Sequence, residues 1–126
     1  MNVYSKYRLN KENYYLLARG VFQYHEQTNY WGRSRPAMNL DGQTCVVTGS
    51  SRGIGRGIAK DLAAHGGDVV VNYRSSEDEA RAVVEEIEDD GGTAMAAQAD
   101  ISEQDDVESM VAAVHDTFGS VDVLVN

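Results

Sequence analysis

The order of apolar periods along the chain predicts an α/β fold, an open doubly wound parallel sheet of about four strands and three helices. Three observations carry that expectation. Short β-branched runs alternate with longer segments whose apolar residues recur every three or four positions. Each long segment closes on glycine, at Gly66-Gly67, Gly91-Gly92 and Gly119. A glycine-rich turn joins the first run to the first long segment.

The elements follow in order from Thr44. Thr44 to Thr48 is a β-branched run of the buried-strand kind. Ile54, Ile58 and Leu62, with Ala59 and Ala63, then share one helical face, and Gly66-Gly67 supplies a left-handed stop. Val69-Val70-Val71 opens the second strand. Ser76-x-x-Glu79 is a capping box before a helix whose inner face is Ala80, Val83, Val84 and Ile87. Thr93 to Ala99 reads as the third strand. Ser102 is placed to cap a third helix carrying Val107, Met110, Val111, Val114 and Phe118 on one face. Val121 to Val125 is the fourth strand, and its apolar residues would form an exposed edge if no further strand lay beside them.

The first 37 residues fit none of this. They hold six bases and two acids, giving +4, together with six of the seven tyrosines and the single tryptophan. The other 89 residues carry five bases and 18 acids, giving −13. So sharp a break marks a seam near Met38, separating an N-terminal extension or leader (1–37) from the fold proper (38–126). Tyr14 to Ala18 could form a helical turn or two, but no period lasts long enough to bury a face. The stretch is either an extension docking through its aromatics or a leader preceding a start at Met38.

Composition narrows the classes of function. The 126 residues are 42% apolar and 25% charged, with a formal charge of −9, as in a globular protein of at most one domain. No apolar run approaches the ~18 residues of a membrane helix, which points to the cytoplasm. The acidic excess argues against nucleic acid and anionic membranes as partners. Any anion must therefore be held locally. Lone Cys45 reads as a small buried hydrophobe. His25, His65 and His115 share no metal-ligand spacing, and the last two read as exposed helix positions. The acids of the second and third helices fall between the apolar positions. They form either a solvated face suited to a salty cytoplasm or a docking face for a basic partner.

In sheets of this kind ligands sit beyond the carboxyl ends of the strands, where strand order reverses, here between the first and fourth strands. After the first strand comes Gly49-Ser50-Ser51-Arg52-Gly53-Ile54-Gly55. Glycines let main chain approach a pyrophosphate, and a helix start offers unpaired N–H groups and partial positive charge. A tight turn without a ligand is the plainer reading. After the second strand comes Asn72-Tyr73-Arg74-Ser75, with no acid to accept from a ribose 2′-hydroxyl. Arg74, with Ser75 beside it and Arg52 in the turn, suits a 2′-phosphate and so favours NADP over NAD, unless the arginines are solvated surface charges. After the third strand, Asp100-Ile101-Ser102 can cap the helix, accept from an adenine amino group, or do both. Asn126 follows the fourth strand.

Together these segments resemble the short-chain dehydrogenase/reductase family, most closely its 3-oxoacyl-acyl-carrier-protein reductase group, over Met38 to Asn126. Thr48-Gly49-x-x-x-Gly53-x-Gly55 is similar to the family's cofactor turn, Asp100-Ile101-Ser102 to its adenine-contacting segment, and Val121 to Asn126 to the run into its Asn-Asn-Ala-Gly motif. The resemblance implies a Rossmann-like, partial dinucleotide fold and NADP-dependent reduction of a small-molecule carbonyl, or oxidation of an alcohol, by hydride transfer. By the same resemblance Tyr73 stands where NAD-preferring relatives place an acid and Arg74 where NADP-preferring ones place a base. The family's catalytic serine, tyrosine and lysine lie beyond its Asn-Asn-Ala-Gly motif, so no catalytic residue is expected here. The family's oligomers use helices from that same later part, and a homo-oligomer is expected of the full-length form. Tyr7 and Lys11 have the Tyr-x-x-x-Lys spacing but precede the glycine turn, a coincidence on this reading. The competing expectation is a half-Rossmann module that binds a nucleotide or a partner without chemistry.

Overall fold

The computed structural model describes Val3–Tyr4 and residues 38–126. Tyr7, Lys11, Tyr14 to Ala18 and His25 lie outside the described residues. The elements are β1 (Val3–Tyr4), β2 (Thr44–Val47), α1 (Gly53–Ala64), β3 (Asp68–Tyr73), α2 (Glu77–Asp89), β4 (Thr93–Gln98), α3 (Gln104–Phe118) and β5 (Val123–Val125). Four strands are parallel, in the order β5-β2-β3-β4, with β1 added antiparallel outside β5. This is a partial Rossmann-like α/β fold. Strand order reverses at β2, which pairs with β3 on one side and β5 on the other.

The two faces of the sheet bury different layers. Cys45, Val47, Val69, Val71, Val123 and Val125 pack against Ile58 and Leu62 of α1 and Val83 and Ile87 of α2. The alternate residues Val46, Val70 and Ala97 face Met110 and Val114 of α3. Period-two alternation in strands apolar on both faces is what a sheet covered by helices on both sides requires. Cys45 is fully buried, and burial, reinforced by Asp122 and Asp68, pushes its thiol up to about 12. No helix among the described residues is long and apolar enough to cross a membrane.

The helix stops form as expected. Gly66 N–H donates to Ala63 O and Gly67 N–H to Leu62 O, the paired bonds of a Schellman motif. Gly91 and Gly92 repeat them onto Glu88 O and Ile87 O.

The starts differ from expectation. Ser76 occupies the N-cap of α2 but makes no side-chain cap bond, and Glu77, Asp78 and Glu79 instead place acids in the first turn. Ser102 does not cap α3, because Glu103 takes that position and the Ser102 hydroxyl turns back to Asp100. Ile54 and Val111 fall on the expected helical stripes yet are 56% and 37% exposed. Ile54 sits in the opening turn of α1, at the mouth of the sheet rather than over it. Val111 borders a groove of about 360 Å³ between α3 and β5, shared with Val121 and Leu124. His65 is not exposed: it ends α1, its ring 12% accessible and bound to Asp61 O.

β5 spans only Val123–Val125, and β4 ends at Gln98. Val123 and Val125 are buried, so of the anticipated apolar edge only Val121 and Leu124 stay exposed. β1 pairs Val3 with Val125 and Tyr4 with Leu124 along that edge, within the stretch expected to carry no element.

Candidate functional site

The site is assembled where β2, β3, β4 and β5 end. β2 runs out at Val47, and the chain turns through Thr48 to Arg52 before α1 begins. Gly49 and Gly53 have φ of +60° and +58°, and a Cβ at either would meet nothing within 4 Å. The demand there is conformational. At Gly55 it is spatial, since a Cβ would stand 2.5 Å from Gly49 O and 2.8 Å from Ser50 Cα. Helix and turn are in backbone contact, which only glycine permits.

That contact leaves the start of α1 open. Arg52 at the N-cap makes no side-chain cap bond, and the first turn holds no acid. The first turns of α2 and α3 hold Glu77, Asp78, Glu79 and Asp105, Asp106. The opening N–H groups of a helix have no partner within it and carry the positive end of the dipole. Only α1, among the three, supplies neither a cap nor a counter-charge of its own. A glycine cradle before an uncapped helix start therefore fits a phosphate group.

The rest of the turn is held from below. Ser50 is fully buried, its hydroxyl donating to Val47 O at 2.7 Å and accepting from Asn72 N–H at 3.1 Å. It faces the sheet rather than the mouth. Ser51 is largely buried, whereas Arg52 is exposed and has no ion pair among the described residues.

Neighbouring strand ends complete the rim. Arg74 follows β3 with a side chain 75% exposed, and its carbonyl accepts from Gln98 Nε2. Ser75 beside it is exposed. Arg74 Nη1 lies 3.9 Å from Asp100 Oδ2, bringing together two of the expected site residues. Asp100 Oδ1 accepts from the Ser102 hydroxyl and N–H at 2.6 and 3.0 Å. Those bonds, with the Arg74 charge adding, hold the Asp100 carboxyl below the usual range. Asp106 Oδ2 accepts from Asp100 N–H, so the helix itself fixes this corner. Ile101 is half exposed. On the other side of β2, Thr48 donates to Asn126 Oδ1 at 3.0 Å, and its N–H to Val125 O.

Sequence reasoning passed over Asn72, which is 2% exposed and joins the turn to β4 and α3. Asn72 and Tyr73 belong to β3 rather than following it. The available signal was a polar residue directly after the valine triplet of an apolar strand, opposite a glycine turn. Such a residue cannot be buried without partners.

A parallel sheet with its order reversed at β2, opening on a glycine cradle and an uncapped helix, defines a Rossmann-type α/β unit. The chain belongs to the short chain dehydrogenase family, whose model matches residues 43–126. It is 52% identical over 84 residues to a 3-oxoacyl-acyl-carrier-protein reductase FabG of Staphylococcus epidermidis, covering 67% of this chain and 34% of that protein. It is 48% identical over 88 residues to 3beta-hydroxysteroid dehydrogenase 1 of Eggerthella lenta, covering 70% and 34%. A short chain dehydrogenase from Burkholderia cenocepacia, solved in complex with NADP, superposes with a TM-score of 0.66 at 48% identity, covering 70% of this chain and 36% of that one. The chain thus spans about a third of the length of the curated relatives it matches.

Proposed function

We propose that residues 38–126 are the coenzyme-binding part of an NADP-dependent short-chain dehydrogenase/reductase. The observation that carries this reading is the pairing of an uncapped, glycine-cradled helix start with exposed Arg74 at the neighbouring strand end. The main chain of Ser51 to Gly55 would hold the diphosphate. Arg74, with Ser75 beside it and Arg52 in the turn, would meet the 2′-phosphate, because guanidinium matches that group in charge and donor geometry. Asp100 and Ile101 would line the adenine, and Asn126 would stand near the far end of the coenzyme. When bound, the reduced nicotinamide supplies the hydride for a carbonyl.

Hydride transfer to a substrate also needs a proton donor. Tyr73 is the one tyrosine after residue 38, and Glu77 rather than lysine stands four residues on. Binding and selecting the coenzyme are accordingly the roles assigned to these residues. The substrate class is a secondary alcohol or its ketone, and similarity to a 3-oxoacyl-acyl-carrier-protein reductase supports a 3-oxoacyl thioester as the candidate.

Titration calorimetry with NADP⁺ and NAD⁺ tests the reading. NADP⁺ should bind about tenfold more tightly or better, since a charge-assisted hydrogen bond contributes about 1.5 to 3 kcal/mol. Arg74→Asp should erase or invert the preference. Equal affinities in the wild-type chain would overturn the assignment.

A further inference from the structure

Asn72 is the most heavily bonded buried polar side chain of the described residues. Its Oδ1 accepts from Gly49 N–H at 3.1 Å, and its Nδ2 donates to Ala97 O at 3.2 Å and Ala99 O at 3.3 Å. Met110 Sδ lies 3.5 Å from the same nitrogen. These partners leave one orientation for the amide, because a flipped group would set donor against donor at Gly49 and acceptor against two carbonyls. The main chain of Asn72 is committed as well. Its N–H donates to Ser50 Oγ, and its carbonyl accepts from Ser50 N–H.

The position explains the need. β2 and β3 pair as far as Val47 and Val71, and β2 then leaves the sheet. At the next level Asn72 has lost its strand partner on that side while still pairing with Ala97 of β4 on the other. The turn takes the place of the missing strand.

We infer that Asn72 is a positioning residue for the phosphate-binding turn: its carboxamide clamps Gly49 to the ends of β3 and β4 and so sets the glycine backbone that receives the diphosphate. The inference rests on the coenzyme reading above, and goes further in saying which amides are left for the ligand. With Gly49 N–H bound to Asn72 and Ser50 N–H to the Asn72 carbonyl, the diphosphate falls to the N–H groups from Ser51 to Gly55. Arg74 lies two residues along the same strand end, so one clamp aligns the diphosphate end of the site with the 2′-phosphate end.

Amide hydrogen exchange on the nucleotide-free chain gives the first test. Gly49 should exchange at least about tenfold more slowly than Gly53, as an amide bonded to a buried side chain does beside one with no partner in the fold. Comparable rates would overturn the inference, whether or not any nucleotide binds. The second test compares Asn72→Ala with Val114→Ala, a core truncation on α3 away from the turn. Both should lower stability. Only Asn72→Ala should weaken NADP⁺, by about tenfold, as loss of an orienting hydrogen bond implies. Its effect on 2′-AMP, which lacks the diphosphate, should stay within about twofold. Equal weakening of NADP⁺ by both variants would reduce Asn72 to a general stability role and overturn the inference. If the wild-type chain bound no NADP⁺, the coenzyme reading would fall, and the Gly49 exchange rate would still decide the clamp. It decides equally if Asn72→Ala does not fold.

Discussion

Arg74 and Asp100 face each other across the ends of two adjacent strands, with 3.9 Å between Nη1 and Oδ2. The arginine is three-quarters exposed, so the pair is loose and well solvated, and pairs of this kind contribute little to stability. Asp100→Asn keeps an acceptor for Ser102 while removing the charge beside Arg74. Urea unfolding should show little change. Binding of 2′-phosphate nucleotides should tighten a few-fold at low salt and by less near 1 M salt, where the Debye length is ~3 Å. A weaker 2′-phosphate affinity in this variant would show that Asp100 orients Arg74 rather than competing for it.

Gly55→Ala forces a methyl against Gly49 O and Ser50 Cα, both backbone atoms. Neither can rotate away, so helix and turn must separate. Overpacking of this kind costs about 1 to 3 kcal/mol. Denaturant midpoints should fall accordingly. Nucleotide affinity should fall further than stability, because the displaced backbone is the phosphate cradle itself.

Ile54 and Ile58 test the difference between helical stripe and real burial. They lie one turn apart on the same face, yet Ile54 is 56% exposed and Ile58 1%. Ile58→Ala should cost about 2 to 5 kcal/mol through lost burial and a residual cavity. Ile54→Ala should stay within about 0.5 kcal/mol. Equal losses would mean that a layer covers Ile54 in solution.

Asp61 gives a pH dependence with a definite sign. Its side chain is 12% exposed, Oδ2 has no hydrogen-bond partner among the described residues, and His65 Nδ1 stands 3.7 Å away. Burial raises the Asp61 carboxyl from 3.8 to about 6, with the His65 charge opposing. Protons thus bind this group more tightly in the folded chain. Its contribution favours folding below about pH 4 and is lost as pH rises through about 6. Asp61→Asn should stabilise the chain by about 3 kcal/mol at pH 8, at 1.36 kcal/mol per pKa unit over the rise from 3.8 to about 6, and by little at pH 4. Urea melts at the two pH values check this, and a larger gain at pH 4 would reverse the sign.

The strands and helix stops were legible in sequence because each depends on local chemistry. Valine triplets fix buried strands, and Gly66-Gly67 or Gly91-Gly92 can end a helix whatever surrounds it. Helix starts were harder to read. Ser76 and Ser102 are good cap residues by type, but acids in the first turn and the Asp100 carboxylate satisfy those regions instead. Exposure at Ile54 depends on where the sheet ends, which periodicity along one helix does not encode. The glycine turn and Arg74 could be named from spacing alone. Asn72 could not, because its partners come from residues 49, 97, 99 and 110, which only the assembled sheet brings together.

The caps at Gly66-Gly67 and Gly91-Gly92 leave three residues between each helix and the strand that follows it. With nearly every amide in these returns already engaged, there is no slack for added length. An insertion-scanning library should therefore be intolerant at this end of the sheet and more permissive around exposed Ser75 at the other. Sequence novelty in such an architecture can accumulate at one pole while the opposite pole stays fixed, letting loops diversify on a scaffold whose dimensions do not change.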